Sequence, residues 1–174
     1  LREALSVLVI MKWYNYLYLY ERKLGGILTE SGSIRAGKAE FVVIGVGLNL
    51  TTELKQFSPE LQEKGISLAQ IAVDIPETDN LLPLFVNELQ RAAQRLANDK
   101  AQLLADWREF DYLQGRALRY VRHEGEIAAT GIGLAEDGQY IILDAQGIEH
   151  RVTAGDLNPV RPAASKKEGG ETEK

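Results

Sequence analysis

Arg22-Lys23-Leu24-Gly25-Gly26-Ile27-Leu28 sets two cations directly against two glycines and an apolar run. The apolar run fits a strand buried in a sheet. Glycine has no Cβ, so backbone or a ligand can come close at Gly25 and Gly26. A lysine beside such a gap puts a point charge next to whatever fills it, which suits an anion. Glycine pairs also mark plain turns and bulges, so the neighbouring segments decide between a site and a turn.

Residues 12–30 read as two short strands joined by a turn, with Leu17, Leu19, Ile27 and Leu28 at buried positions. Tyr14, Tyr16, Tyr18 and Tyr20 recur with period two, which predicts one shared aromatic strand face packed on something apolar. Residues 31–40 read as a polar turn. Phe41-Val42-Val43-Ile44-Gly45-Val46-Gly47-Leu48-Asn49-Leu50 is a continuous β-branched run, which predicts a central strand buried on both faces. Gly45 and Gly47 again permit close backbone approach. Asn49 stands at the strand end, where ligands sit in mixed sheets. An asparagine there can equally cap a turn through its own backbone.

Residues 51–66 are polar and irregular, with a helix start at Ser58-Pro59-Glu60, and a short helix is expected over 67–73. Residues 79–110 carry two helices. Leu82, Phe85, Val86, Leu89, Ala92, Ala93 and Leu96 fit helical spacing and are expected to form a core face. Leu103, Leu104, Trp107 and Phe110 continue on the second helix, after Asp99-Lys100. From residue 116 to 161 the period changes to short strands with turns every eight to ten residues, among them Asp137-Gly138 and Gln146-Gly147. Five short strands there predict a small SH3-like β-barrel. Residues 163–174, made of Ala, Ser, Lys, Glu, Gly and Thr, read as a disordered tail.

The 174 residues suffice for one ordinary core, or a medium domain plus a small one. The net charge of −5 and the lack of a basic cluster outside Lys166-Lys167 argue against a nucleic-acid partner. With no cysteine, disulfides, thiolate metal sites and a cysteine nucleophile are excluded. His123 and His150 are far apart in sequence, so no metal ligand set is expected. No apolar run approaches the roughly 20 residues that span a bilayer, and the start lacks a small-residue cleavage site. A cytoplasmic setting without membrane contact is the expectation. Leu1, Ala4, Leu5 and Leu8 suggest the end of a helix that begins upstream, hence a fragment of a longer protein.

Three segments now stand in one order: Lys12-Trp13-Tyr14-Asn15-Tyr16-Leu17-Tyr18-Leu19, then Arg22 to Glu30, then Val43 to Leu50. A helical region and a small β domain follow. This series resembles the biotin–protein ligases (biotin–[acetyl-CoA-carboxylase] ligase), whose pattern reads K-W-P-N-D-L, then R-K-L-G-G-I-L, then V-I-G-x-G-x-N. The resemblance covers about residues 10 to 161. It implies an α+β fold: part of a mixed sheet with helices, like the class II synthetase core, followed by the SH3-like barrel. The implied organisation is the C-terminal part of a catalytic domain over 1–113, the barrel over 114–162 and the tail over 163–174.

The resemblance implies two steps. Biotin carboxylate attacks the α-phosphate of ATP, with Mg2+, to give biotinyl-5′-adenylate and pyrophosphate. A lysine of a biotin carboxyl carrier protein then attacks the mixed anhydride. Lys23 takes the family's essential lysine position, beside carboxylate and phosphate. Gly25 and Gly26 would let the adenylate lie on bare backbone, and Arg22 and Gly47 belong to the same motifs. Asn15 and Asn49 match asparagines near phosphates, metal and nucleotide. Trp13 matches a tryptophan at the wall of the site, and Arg161 a terminal arginine that reaches toward it in some relatives. Residues 51–66 match a mobile loop that orders over the adenylate.

Two departures limit this. The family's G-R-G-R-x-G loop does not occur in these 174 residues, and Tyr14 and Tyr16 stand where the family has proline and aspartate. A tyrosine, uncharged at neutral pH, cannot replace a carboxylate at a cation. The chain by itself is therefore expected to lack ligase activity. A sheet edge left open invites a homodimer. The alternative reading is a non-catalytic remnant or interaction module.

Overall fold

The computed structural model describes residues 7–71, 75, 77–122 and 125–160. The expected tail at 163–174 and Arg161 lie outside the described residues, as do His123 and Glu124. Among the described residues are two principal antiparallel sheets and two longer helices.

The first sheet is built from β1 (Ile10–Lys12), β2 (Tyr16–Leu19), β3 (Arg22–Ser31) and β6 (Val42–Leu48), in the order β1-β2-β3-β6. A small hairpin of β4 (Ile34–Arg35) and β5 (Lys38–Ala39) fills the stretch read as a polar turn. Its corner has Ala36 and Gly37 at φ 49 and 74, the left-handed pair that a two-residue hairpin turn requires. Leu17, Leu19 and Leu24 point to one side of the sheet and form a core with Val7, Val9, Ile66, Leu68 and Leu81. Each such leucine taken out of water contributes roughly 1.5–3 kcal/mol. At the N-terminal end, Val7 and Val9 are buried and Leu8 is exposed. Leu1, Ala4 and Leu5, which carry most of the helix end expected there, lie outside the described residues.

A bulge shapes this sheet. Leu17 pairs with Gly25 and Tyr18 with Lys23, so Leu24 is an extra residue on β3. The bulge carries Lys23 onto the same face as Gly26, Tyr16 and Tyr18; strict alternation would have put Lys23 and Gly26 on opposite faces.

Several expectations from the sequence are corrected. The run at 41–50 is not a strand buried on both faces. β6 lies at the sheet edge, and Phe41 (59% exposed), Val42, Val43 and Ile44 face outward, because among the described residues β6 pairs only with β3. The four tyrosines do not share one strand face: Tyr14 and Tyr20 sit in the turns flanking β2 and are exposed. The helical face is narrower than read. In the Thr78–Asn98 helix Leu81 is buried and Phe85 packs beside it, whereas Leu82 (61% exposed), Val86 and Leu96 point outward. A second helix, Lys100–Arg108, follows at Asp99. The expected helix at 67–73 is a single 3-10 turn, Leu68–Ile71, and residues 72–74 are outside the described set. No described helix is long and apolar enough to cross a membrane.

The second sheet has five antiparallel strands: β7 (Ala117–Arg122), β8 (Gly125–Leu134), β9 (Tyr140–Asp144), β10 (Glu149–Val152) and β11 (Asp156–Pro159). Their order is β10-β9-β8-β7-β11. The Asp137-Gly138 turn closes as read, with Gly138 N donating to the Ala135 carbonyl at 3.1 Å. Tyr140, Ile142, Val152, Leu157, Leu118 and Leu113 form the core of this sheet.

The two sheets share material. Trp13 is buried in the second core, against Tyr140, and its Nε1 donates to the Gly138 carbonyl at 3.2 Å. Met11 N donates to the Phe110 carbonyl and Tyr112 N to the Met11 carbonyl, both at 2.8 Å. The start of the first sheet is thereby tied to the connection that leads into the second.

Gly25 and Gly47 separate structural from open glycines. A Cβ at Gly25 would stand 2.2 Å from the Gly47 carbonyl oxygen, inside the β3–β6 pairing, whereas at Gly47 the nearest atom is 4.0 Å away. Gly25→Ala should therefore cost on the order of 3 kcal/mol in urea unfolding. Gly47→Ala should change stability by less than about 1 kcal/mol.

Candidate functional site

The cross-strand pairs Gly26–Gly47 and Leu28–Gly45 leave one face of β3 and β6 almost without side chains. An open cleft of about 440 Å³ lies on this bare backbone, lined by Asn15, Tyr16, Lys23 and Gly26 among others. That volume lies within the roughly 300–1,000 Å³ of small-molecule sites.

Lys23 is the cation of this lining. Its Nζ stands 3.8 Å from the centre of the Tyr16 ring. Burial pulls its pKa below the ordinary lysine value. The backbone of Lys23 is held from behind. Its carbonyl accepts from Ile66 N at 3.0 Å and, at the longer 3.5 Å, from Asn49 Nδ2.

Asn49 lies outside the cleft lining and does work of another kind. Its Nδ2 also donates to the Ile66 carbonyl at 3.2 Å, and Thr52 Oγ1 donates to its Oδ1 at 3.5 Å. Its own amide donates to the Leu24 carbonyl and its carbonyl accepts from Leu68 N. The side chain thus bridges β3 to the segment after the Pro59–Lys64 helix, instead of capping a turn through its own backbone.

Asn15 does line the cleft. Its carbonyl accepts from Ile27 N at 2.8 Å, and its side-chain Oδ1 is buried with no partner among the described residues. A buried acceptor without a donor is costly unless something outside the protein satisfies it. Arg22 points away from the cleft, and its Nη2 donates to the Gln62 carbonyl at 3.1 Å. Trp13 is not in the cleft lining, since its ring fills the second core. Gly25 shapes the pairing beneath the cleft, while Gly26 and Gly47 form its floor. Of the expected residues, Lys23, Asn15, Gly26 and Gly47 therefore come together directly, and Asn49, Arg22 and Gly25 support them from behind.

The segment at 51–66 is docked, not irregular throughout. It holds a 3-10 turn (Leu54–Gln56) and the Pro59–Lys64 helix, whose start at Ser58-Pro59 is where the sequence placed it. Its end bridges to Lys23 at Gly65.

The sequence reading passed over Lys12 as a site residue. It is 5% exposed, with Nζ 3.4 Å from Asn158 Oδ1 and 5.3 Å from the Tyr16 ring centre. Burial pulls its pKa down, the charges of Lys23 and Lys64 add to that, and Asp156 opposes it. The register Lys12–Tyr16 across β1 and β2 creates this contact; it needs strand pairing that no local pattern reveals.

No protein-family model matches the chain. It is 31% identical over 152 residues to the biotin–[acetyl-CoA-carboxylase] ligase of Mycobacterium tuberculosis, covering 87% of this chain and 53% of that protein. To the bifunctional ligase/repressor BirA of Escherichia coli it is 27% identical over 152 residues, covering 86% and 46%. Both relatives are biotin–protein ligases, and the similarity to them runs over most of this chain. The chain spans about half the length of the curated relatives it matches. Its fold is similar to that of the biotin protein ligase from Aquifex aeolicus solved in complex with biotin and ATP. That match has a TM-score of 0.73 and 18% identity, over 92% of this chain and 66% of that one. In this chain, the cleft, the glycine floor and Lys23 all fall inside the segments that carry the motif resemblance.

Two outcomes follow for the framework of the site. Asn49→Asp keeps shape but removes the donor to the Lys23 and Ile66 carbonyls, and should destabilise the protein by about 1–3 kcal/mol in urea. For Lys12 and Lys23, the native state binds protons less tightly than the unfolded chain, whose lysines keep the ordinary value of 10.5. Stability must then rise with pH as these groups deprotonate below that value. The Tyr16 phenol, raised by burial, acts in the opposite sense above its ordinary 10.0. Urea midpoints should climb from neutral pH toward about pH 10, and Lys12→Met should flatten most of that climb.

Proposed function

We propose that this chain supplies the wall of a biotin–protein ligase site that holds the anionic centre of biotinyl-5′-adenylate. The observation that carries the reading is Lys23 set over a floor of bare glycine backbone in a cleft of about 440 Å³. The reaction joins two anions, biotin carboxylate and the α-phosphate of ATP, with loss of pyrophosphate. A carrier-protein lysine amine then attacks the acyl carbon and releases AMP. Negative charge grows on carboxylate and phosphate oxygens in the first step. A preorganised ammonium at that point lowers its cost, and removing one such donor commonly slows a reaction by about 10²–10³.

Each part of the site has a role in this reading. Gly26 and Gly47 let a flat ligand lie against the backbone. Asn15 offers its orphan Oδ1 to a ligand donor. Asn49 and Gly65 fix the Lys23 backbone. Residues 1–113 are read as catalytic-domain chain of class II synthetase type, and the five-stranded sheet as the SH3-like barrel. Biotin, ATP and a biotin carboxyl carrier protein are the proposed substrates, and the open β6 edge is the surface through which two copies would associate.

Magnesium does not fit the residues at this cleft. It takes hard oxygen ligands, with one or two carboxylates from the protein. The lining contains no carboxylate, and the described residues hold no group of three His, Asp or Glu that could bind a metal. Tyr16, neutral with its pKa raised by burial, is no substitute.

Titration of the chain with AMP, followed by calorimetry, tests the reading. Binding is expected, and Lys23→Met should weaken it by at least about tenfold. Biotin transfer to a carrier domain with ATP and Mg2+ should not be detected with this chain alone. AMP binding that ignores Lys23→Met would overturn the assignment.

A further inference from the structure

The ammonium of Lys23 needs a partner to hold it over the glycine floor. Burial is what lowers its pKa, with no carboxylate acting in the other direction. What faces it is the Tyr16 ring, 3.8 Å from Nζ to centroid, well inside the roughly 6 Å over which a ring face attracts a cation.

We propose that Tyr16 is a positioning residue for Lys23, holding the ammonium by its ring face and leaving its charge uncompensated for an anion in the cleft. The identity of that anion rests on the adenylate reading above; the contact itself does not.

Four features of the structure support this role. The Leu24 bulge puts Lys23 beside Tyr18 in register and diagonal to Tyr16, on one face. Diagonal neighbours are within reach of a long side chain and a ring. Gly26, opposite Tyr16, lies next to both partners: a Cβ there would stand 3.1 Å from the Asn15 carbonyl oxygen, 3.6 Å from Tyr16 Cδ1 and 4.0 Å from Lys23 Cε. The ring is itself braced, because Lys12 Nζ lies 5.3 Å from its centre and is buried. Finally, the phenol stays neutral, raised by burial and then by Asp156 and Tyr14.

The distinction from an ion pair is functional. A carboxylate in the place of Tyr16 would hold Lys23 and also cancel its charge. A ring quadrupole attracts the ammonium and leaves the net charge whole. The cleft then recruits an anion through Lys23 directly, with no protein ligand for a bridging metal. Anion binding here is accordingly independent of magnesium.

NMR of the lysine side chains, without any ligand, tests the contact. The Lys23 ε-methylene protons should be shifted upfield by the ring current, the shift should vanish in Tyr16→Leu, and Tyr16→Phe should restore it. Unshifted Lys23 protons in the unaltered chain would overturn the proposal.

AMP affinity measured with and without EDTA tests the consequence. Tyr16→Leu should weaken binding by about three- to tenfold, a loss expected of a cation–ring contact, and Tyr16→Phe should recover most of it. EDTA should change nothing. Tyr16→Leu placed on Lys23→Met should add no further loss, since a residue acting through Lys23 has nothing left to position. Full additivity of the two would assign Tyr16 a separate contact with the ligand and sink the positioning role. Absence of AMP binding alongside an intact ring-current shift would overturn the adenylate reading alone.

Discussion

One extra residue on β3 sets the geometry on which the site depends. Leu24 has no partner on β2, so the strand bulges between Lys23 and Gly25. The bulge reverses the face to which Lys23 would otherwise point and brings it over Gly26. Burying Leu24 completely in the first core fixes this choice. The core thereby holds the register, and the register aims the cation. A strand without the bulge would bury an ammonium among leucines, which costs far more than the hydrophobic gain of one side chain.

The glycines divide into two kinds around that bulge. Gly25 exists for packing, because any side chain would collide with the β6 backbone. Gly26, Gly45 and Gly47 face outward, and their common effect is an empty floor. Behind the floor, Asn49 and the end of the Pro59–Lys64 helix bind the backbone of β3. The site is thus a surface property of a well-tied sheet. The same sheet leaves β6 open on its far side, with Phe41 and its neighbours exposed. An exposed apolar strand edge of this kind is open to pairing with another chain.

The second sheet contributes support. Trp13, read from its motif as part of the cleft wall, fills the second core instead and donates to the Gly138 carbonyl. Tyr140, in the same core, donates to Asp111 Oδ2 at 2.6 Å, in the connection between the sheets. Residues 10–13 therefore answer to both sheets at once.

Local sequence determined a good part of this protein. The glycine pair beside a lysine, the β-branched run with its own glycines, the Ser58-Pro59 helix start, the two helices and the Asp-Gly turn are all short-range patterns, set by backbone sterics and by side-chain period. Grouping Lys23, Asn15, Gly26 and Gly47 in one region took the motif resemblance as well, since no local pattern singles out Asn15. Tertiary structure alone decided which face each residue took. The bulge at Leu24 depends on how β3 matches β2. The burial of Trp13 depends on a sheet more than a hundred residues away in sequence. The exposure of Val42, Val43, Leu82 and Val86 depends on what lies against them, which hydrophobicity does not encode. Periodicity states that a residue favours cover; only the assembled chain supplies or withholds it.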